Sequence, residues 1–504
     1  MPPADRPNVL WITTDQQHWN TLGVVNDEID TPNLDRLVAE GTLFDRTYCS
    51  NPTCTPTRAS MITGKPPSQH GAWSLGTKLP EDEHTVGEDF ANAGYETSLI
   101  GKAHFQPLDD TEEYGSIEAY PTLQDFDFWR EFDGPFYGFD HVELARNHTD
   151  EAHVGQHYAL WMEEQGFEDW RDCFRPPTGN TEAQHGAWNI PEEYHYDAWI
   201  AERTNARLER HAEREEPFFC WASFFDPHPS YLVPEPWDEY YDPDELTIPS
   251  KEPGEHDDNP PHFQLTQEAD PDFSEWAESG QALHGFHSHL HDEDELAADV
   301  AIYYAMTTLL DKYVGEILDR LDELGLAEET LVVFASDHGH LYGQHGLTAK
   351  GPFHYEDLLR VPFVARYPGE VPAGRRCSAL QSLNDLAPTV LELAGIDVPR
   401  TMTGVDQSAV WRGESDGERD GVVVENRHEP TTVHCKTYVE ERYKLTVYYD
   451  REYGELFDLE DDPGEHRNRW DDPDYRETKQ RLIRDLLFAE MEREPLWMPR
   501  IAVA

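Results

Sequence analysis

Cys54-Thr55-Pro56-Thr57-Arg58 puts a thiol, a proline and a cation within one short run, which continues through Ala59-Ser60-Met61-Ile62-Thr63 to Gly64. Asn51-Pro52-Thr53 reads as extended or turning, because proline restricts itself and the residue before it. Pro56 suits a first helical turn and Gly64 a helix end. The pattern predicts Cys54 just ahead of a helix N-terminus, where unpaired N–H groups and the positive dipole end favour anions. Arg58 adds a fixed cation. Such a site suits a nucleophile that meets a tetrahedral oxyanion. The alternative is an ordinary cysteine of low pKa, or one that packs in a core.

Two polar pairs sit at strand ends. Asp15-Gln16 follow the strand-like run Asn8–Thr14, and Asp337-His338 follow Leu331–Ala335. In open α/β sheets, ligands gather just beyond the carboxyl ends of strands. Two polar pairs there, with Cys54 before a helix, are placed to meet in space. Gly101-Lys102-Ala103-His104 ends another strand candidate, and Phe225-Asp226-Pro227-His228-Pro229 ends the apolar run from Pro217. Lys350 lies in Gly346-Leu-Thr-Ala-Lys-Gly351. Only nine residues of the chain are lysine, so Lys102 and Lys350 in such places are suggestive.

The run from Cys54 to Gly64 resembles the signature of type I sulfatases, in the alkaline-phosphatase superfamily. In that family the cysteine is oxidised to formylglycine, an aldehyde whose hydrate is the nucleophile. The resemblance implies Asp15, Gln16, Asp337 and His338 as ligands of a divalent metal, joined by one oxygen of the modified Cys54. It implies Arg58, Lys102, His104, His228 and Lys350 as catalytic residues. Lys102 would bridge hydrate and sulfate, His104 would hydrogen-bond the hydrate, and Lys350 would contact the leaving oxygen. Many calcium sulfatases carry Asp-Asp and Asp-Asn where this chain has Asp-Gln and Asp-His, a pattern more like choline sulfatases and phosphonate monoester hydrolases. An all-oxygen shell favours calcium and imidazole suits transition metals, so calcium is the first expectation and manganese the second. Thr57 replaces the serine commonest before the arginine. The implied function is hydrolysis of small-molecule or saccharide sulfate esters, with phosphonate or phosphate ester hydrolysis on the same site as the alternative. A formylglycine-generating enzyme is the implied maturation partner.

The elements around these motifs predict an α/β fold: a large, mainly parallel sheet between helices, with a smaller C-terminal α+β subdomain. Helix candidates are Asn33–Glu40, Thr85–Ala93 and Glu293–Leu324. In the last of these Val300, Tyr303, Tyr304, Leu310, Val314, Ile317, Leu321 and Leu324 form one stripe. Further strand candidates are Phe44–Cys49, Glu96–Ile100, Pro217–Phe225 and Thr330–Ala335. Residues of about 106–215 and 235–290 are aromatic, proline-rich and acidic with little period, and read as insertions that shape a cleft. The catalytic domain is expected over 1–420 and the subdomain over 421–504. In the latter Val422–Glu425, Thr437–Glu440 and Lys444–Tyr449 read as short strands and Tyr475–Met491 as a helix. The runs Gln381–Gly395 and Glu455–Glu465 also resemble family elements.

The 504 residues hold 39 Lys plus Arg against 101 Asp plus Glu, a net charge of −62. With 38% hydrophobic residues and 14 Trp, the acid covers a folded protein rather than a disordered tail. It reads as a halophile-type surface, and it argues against nucleic acid as a partner. The six cysteines show no metal-ligand or disulfide rhythm. No segment has the roughly 20 apolar residues of a membrane helix, and no leader pattern precedes the first strand, so a cytoplasmic protein is expected. Oligomeric state is left open.

Overall fold

The computed structural model describes residues 6–146, 153–174, 185–276, 284–428 and 432–502. Residues 1–5, on which part of the leader reading rests, lie outside the described residues, as do stretches of both acidic insertions.

Asn8–Thr14 (β1) is apolar at successive positions because it is buried on both faces. Val9 and Trp11 enter one core, Leu10 and Ile12 the other. The remaining strands of the main sheet are Thr42–Phe44 (β2), Glu96–Gly101 (β3), His141–Leu144 (β4), Phe218–Ser223 (β5), Thr330–Ser336 (β6), Phe363–Arg366 (β7) and Arg375–Cys377 (β8). Their order is β8-β2-β7-β6-β1-β5-β3-β4. β1 runs parallel to β5 and β6, and β3 runs parallel to β5 and β4. β7 is antiparallel to both its neighbours.

Helices cover both faces. Pro32–Glu40 (α1), Tyr196–Ala212 (α4) and Glu293–Glu323 (α5) pack on one side. Cys54–Thr63 (α2), Val86–Asn92 (α3) and Leu386–Leu393 (α6) pack on the other. In α5 the expected stripe is buried from Val300 to Leu321, while Leu324 is half-buried at the C-cap. Asp292 caps that helix by accepting the Asp294 N–H at 3.0 Å, and Glu293, Asp294 and Glu295 complement the dipole.

The C-terminal part is an antiparallel meander of Val422–His428 (β9), Val433–Val439 (β10), Tyr443–Tyr448 (β11) and Gly454–Asp458 (β12). Helix Arg476–Glu492 (α7) lays Leu482 and Leu486 on Val423, Tyr438, Leu445 and Leu456.

Two segments differ from the pattern-based expectation. Phe44–Cys49 is not one strand: β2 joins the main sheet, while Thr47–Tyr48 pairs with Arg360–Val361 and Gln381–Ser382 in a separate small sheet. The break falls at Asp45-Arg46, whose side chains turn out to Arg376 and to the Glu440 carbonyl. Within 106–215, β4 forms the edge of the main sheet and α4 is a 17-residue helix. Its buried stripe includes Thr204, Arg207 and His211, polar residues that hide the helical period. Among the described residues no helix is long and apolar enough to cross a membrane.

Candidate active site

Strand register explains how the distant motifs meet. Thr14 pairs with Ser336, so Asp15 and Asp337 leave adjacent parallel strands at the same level. Thr13 pairs with Ser223 and Gly101 with Ser223, so Lys102 and the turn carrying His228 leave at that edge too. Gly101 has φ 101°, and a Cβ there would lie 2.0 Å from the Ser223 carbonyl oxygen. Only glycine lets β3 end so close to β5.

Helix α2 supplies Cys54 and Arg58. Thr53 is extended at the N-cap and Cys54 itself is the first helical residue, one position earlier than expected, while Gly64 ends the helix at φ 62°. Cys54 Sγ lies 3.4 Å from Asp15 Oδ1, 3.3 Å from His338 Nε2 and 3.3 Å from Lys350 Nζ. Arg58 Nε donates to Asp337 Oδ2 at 2.8 Å. Arg58 Nη1 donates to the Lys102 carbonyl at 3.0 Å and to Ser223 Oγ at 2.7 Å. Among the described residues Arg58 Nη2 is buried without a partner. Lys102 Nζ contacts Asp15 Oδ2. Lys350 Nζ also donates to His228 Nε2 at 3.1 Å. The His228 Nδ1–H is turned to the Pro229 carbonyl, which leaves its Nε2 as acceptor.

Burial sharpens the electrostatics. Asp15, Arg58, Asp337 and His338 are inaccessible, Cys54 and Lys102 nearly so, and His228 is half-buried. Burial alone would raise the Asp15 pKa, but the cations facing it, Lys102 first and then Lys350 and Arg58, hold it well below the ordinary value. Burial and Asp15 disfavour the Cys54 thiolate, while the nearby ammonium groups of Lys350 and Lys102 favour it, and its pKa is lowered. For Lys350, burial is outweighed by Cys54, Asp15 and Asp337, which raise its pKa and keep it an ammonium.

The donor set fits a dication. One ligand atom each from Asp15, Cys54, Asp337 and His338 lies within 4.8 Å of the others. His338 Nδ1–H donates to the Gly339 carbonyl at 2.9 Å, which leaves its Nε2 lone pair facing Cys54. Gln16, at φ 63°, donates its backbone N–H to Asp337 Oδ1 at 3.1 Å and its amide to His340 Nδ1 at 2.8 Å. Its Oε1 is buried without a hydrogen-bond partner among the described residues, an orphan that a cation would satisfy.

The sequence motifs do not reveal the supports. Glu118 accepts the backbone N–H groups of His104 (3.1 Å), Phe105 (2.9 Å) and Gln106 (3.1 Å), and pairs with Arg146 at 2.7 Å. It fixes the turn bearing His104, whose φ is 60°. No sequence signal separates Glu118 from the other acidic residues. Tyr231, which holds His340 Nε2 at 2.7 Å, has none either. His345, in the motif beside Lys350, turns away from Cys54 to Glu255 and Asp357.

A family model described as "Sulfatase" matches residues 7–396, and one described as "N-sulphoglucosamine sulphohydrolase, C-terminal" matches residues 343–492. An arylsulfatase of Clostridium perfringens is 27% identical over 97% of this chain and 95% of its own length. An N-acetylglucosamine-6-O-sulfatase of Bacteroides thetaiotaomicron is 25% identical over 95% of this chain and 85% of its own. The crystal structure of the phosphonate monoester hydrolase of Agrobacterium radiobacter superposes with a TM-score of 0.78 at 25% identity, covering 97% of both chains.

Proposed function

The chain belongs to the sulfatase family and is a hydrolase of sulfate esters, and on that premise we propose which residues act and how. Cys54 is converted to formylglycine by a formylglycine-generating enzyme that brings an external two-electron oxidant, the C–S bond being replaced by C=O as the sulfur leaves; one hydroxyl of the aldehyde hydrate takes the sulfuryl group as the ester's alcohol departs, and the other, losing its proton, re-forms the aldehyde and expels inorganic sulfate. Asp15, Gln16, Asp337 and His338 would hold a divalent cation with residue 54, and the bound cation would supply Lewis-acid stabilisation of developing anionic charge. The observation that carries this reading is the convergence of Asp15, Cys54, Asp337 and His338 on one buried point, with Lys350 Nζ 3.3 Å from Sγ.

The roles follow from the hydrogen bonds. Arg58 is locked by Asp337, the Lys102 carbonyl and Ser223, and its buried, unpartnered Nη2 is the donor left to stabilise negative charge. Asp337 accepts the proton of the attacking hydroxyl. Lys102 and Lys350 offset charge on the transferring group. Lys350 Nζ donates to His228 Nε2, so its ammonium protonates the leaving oxygen while the His228 Nε2 lone pair orients it. His104 takes the proton of the remaining hydroxyl as sulfate departs.

The oxygen donors of Asp15, Gln16 and Asp337 keep calcium first and the imidazole of His338 makes manganese the second choice, and the named relatives make a saccharide sulfate the first substrate to try. The boundary near residue 421, the cytoplasmic location and the high-salt surface belong to the same reading; the five cysteines other than Cys54, all free, support a reducing compartment and the −62 charge the surface. A second reading, phosphonate or phosphate ester hydrolysis, is favoured by the fold shared with the Agrobacterium hydrolase. Inorganic sulfate release over sulfated sugars, choline sulfate and aryl sulfates, run beside an aryl phosphonate, decides between them. Faster turnover of the phosphonate than of every sulfate would replace the first reading with the second.

A further inference from the structure

A second group of ligand-type side chains lies apart from Cys54. Glu255, His345 and His466 each place a ligand atom within 4.8 Å of the others. They come from three remote parts of the chain. Glu255 lies in the acidic insertion, His345 in the turn before Lys350, and His466 beyond β12. Glu255 and His345 are almost fully buried, and the His466 ring is about one-third exposed.

The orientation of each ring matches a metal ligand. His345 Nδ1 faces Glu255 Oε1, and its Nε2 lies 3.4 Å from Asp357 Oδ2. A carboxylate behind the far nitrogen is the usual way a ligating imidazole is oriented and made more basic. His345 is stacked on Tyr355 at 3.5 Å between ring centres and 7° between planes, so it has little freedom to turn away. His466 Nδ1 lies 3.3 Å from Glu255 Oε2 but is buried without a hydrogen bond among the described residues. Glu255 is fixed by the Glu252 N–H, which donates to its Oε2 at 2.7 Å. A cavity of about 540 Å³, lined by Glu255, Asp258, Asp462 and His466, opens onto the cluster and provides a path for an ion.

We propose that Glu255, His345 and His466 form a second metal site that takes a dication of the zinc class. Two imidazoles and one carboxylate suit zinc better than the hard cations that prefer oxygen shells. The ion would tie the insertion, the turn leading to Lys350 and the C-terminal segment at one point. It also connects to the active-site wall, because Asp357 Oδ1 accepts from His18 Nε2 at 2.9 Å and His18 follows Gln16 closely in sequence. The rival arrangement is an imidazolium of His345 bridging Glu255 and Asp357 with no metal.

The test is zinc binding to the full-length protein, followed by equilibrium dialysis and elemental analysis. It is run on the wild type and on a Cys54→Ala/His338→Ala variant, in which the active-site ligands are reduced and the buried ion pairs are kept. One zinc per chain should persist in that variant and disappear on adding His466→Ala, a change at a part-exposed ring that leaves the core intact. Asp357→Asn should weaken that zinc by about 10–100-fold without removing a direct ligand. Cobalt in place of zinc should give a visible absorption band that His466→Ala abolishes. Equal zinc stoichiometry and affinity with and without His466→Ala would overturn the proposal, as would no zinc beyond the active-site equivalent. Because the readout is metal rather than turnover, it stands or falls separately from the sulfatase mechanism.

Discussion

Arg58 Nε and Asp337 Oδ2 form a 2.8 Å ion pair in which neither side chain is accessible to solvent. A pair so buried is kept only if its remaining donors and acceptors are satisfied or used. Here the Asp337 Oδ1 accepts from the backbone of Gln16 and of His338, and Arg58 Nη1 from α2 reaches across to β5. The pair thus holds the helix that carries Cys54 against the strand ends. Arg58→Lys keeps the charge but loses the fork that makes three contacts. Steady-state kinetics should show kcat lower by about 10²–10³, the usual loss for one oxyanion donor. A wild-type rate in this variant would refute the role given to Arg58.

Lys350 is assigned the leaving-group proton, and that assignment has a chemical signature. Lys350→Ala should slow esters with poor leaving groups, such as alkyl or sugar sulfates, far more than an activated nitrophenyl sulfate. The slope of log kcat against leaving-group pKa reports it directly. An equal loss on all esters would leave Lys350 only a charge-stabilising role.

Glu425 of β9 pins the C-terminal sheet to the main body by accepting from Ser68 N and Oγ, both at 2.9 Å. Burial would raise its pKa, but Arg493 and Lys436 bring it down to about 2 from an ordinary 4.5. The stabilisation is therefore complete above pH 4.5 and is lost as pH falls toward 2. The shift corresponds to about 3 kcal/mol at neutral pH. Urea unfolding should show Glu425→Gln less stable than the wild type at pH 7, with the gap closing progressively below pH 4.5. A gap that is constant with pH would contradict the linkage.

With a net charge of −62, self-repulsion opposes the compact state at low ionic strength. Molar salt shortens the Debye length to about 3 Å and removes most of it. Thermal melts should rise steadily from dilute buffer to molar KCl. A melting temperature indifferent to KCl would remove the halophile-type reading of the surface.

What was legible in the sequence was chemistry tied to strand ends. Asp15 and Asp337 follow apolar runs that are buried on both faces, and such runs leave little doubt about where a strand stops. Cys54, Arg58, Lys102 and Lys350 are marked by unusual residue types in short motifs, and the structure brings all four around Asp15 and Asp337. What was not legible depends on long-range partners. Glu118 has its meaning only because three consecutive N–H groups of another segment point at it. His345 sits in a motif beside Lys350, yet its partner Glu255 comes from the insertion 90 residues away, and its ring turns there. Helix α4 was hidden because Thr204, Arg207 and His211 occupy positions where an apolar stripe would be sought.

The mechanism rests on the chemical state of residue 54, and mass spectrometry of the peptide containing it, on active protein matured in its own host, tests that most directly. The expected peptide has lost sulfur and gained oxygen, and a Cys54→Ala variant is folded and inactive. An unmodified thiol in protein that turns over sulfate esters at full rate would contradict the account.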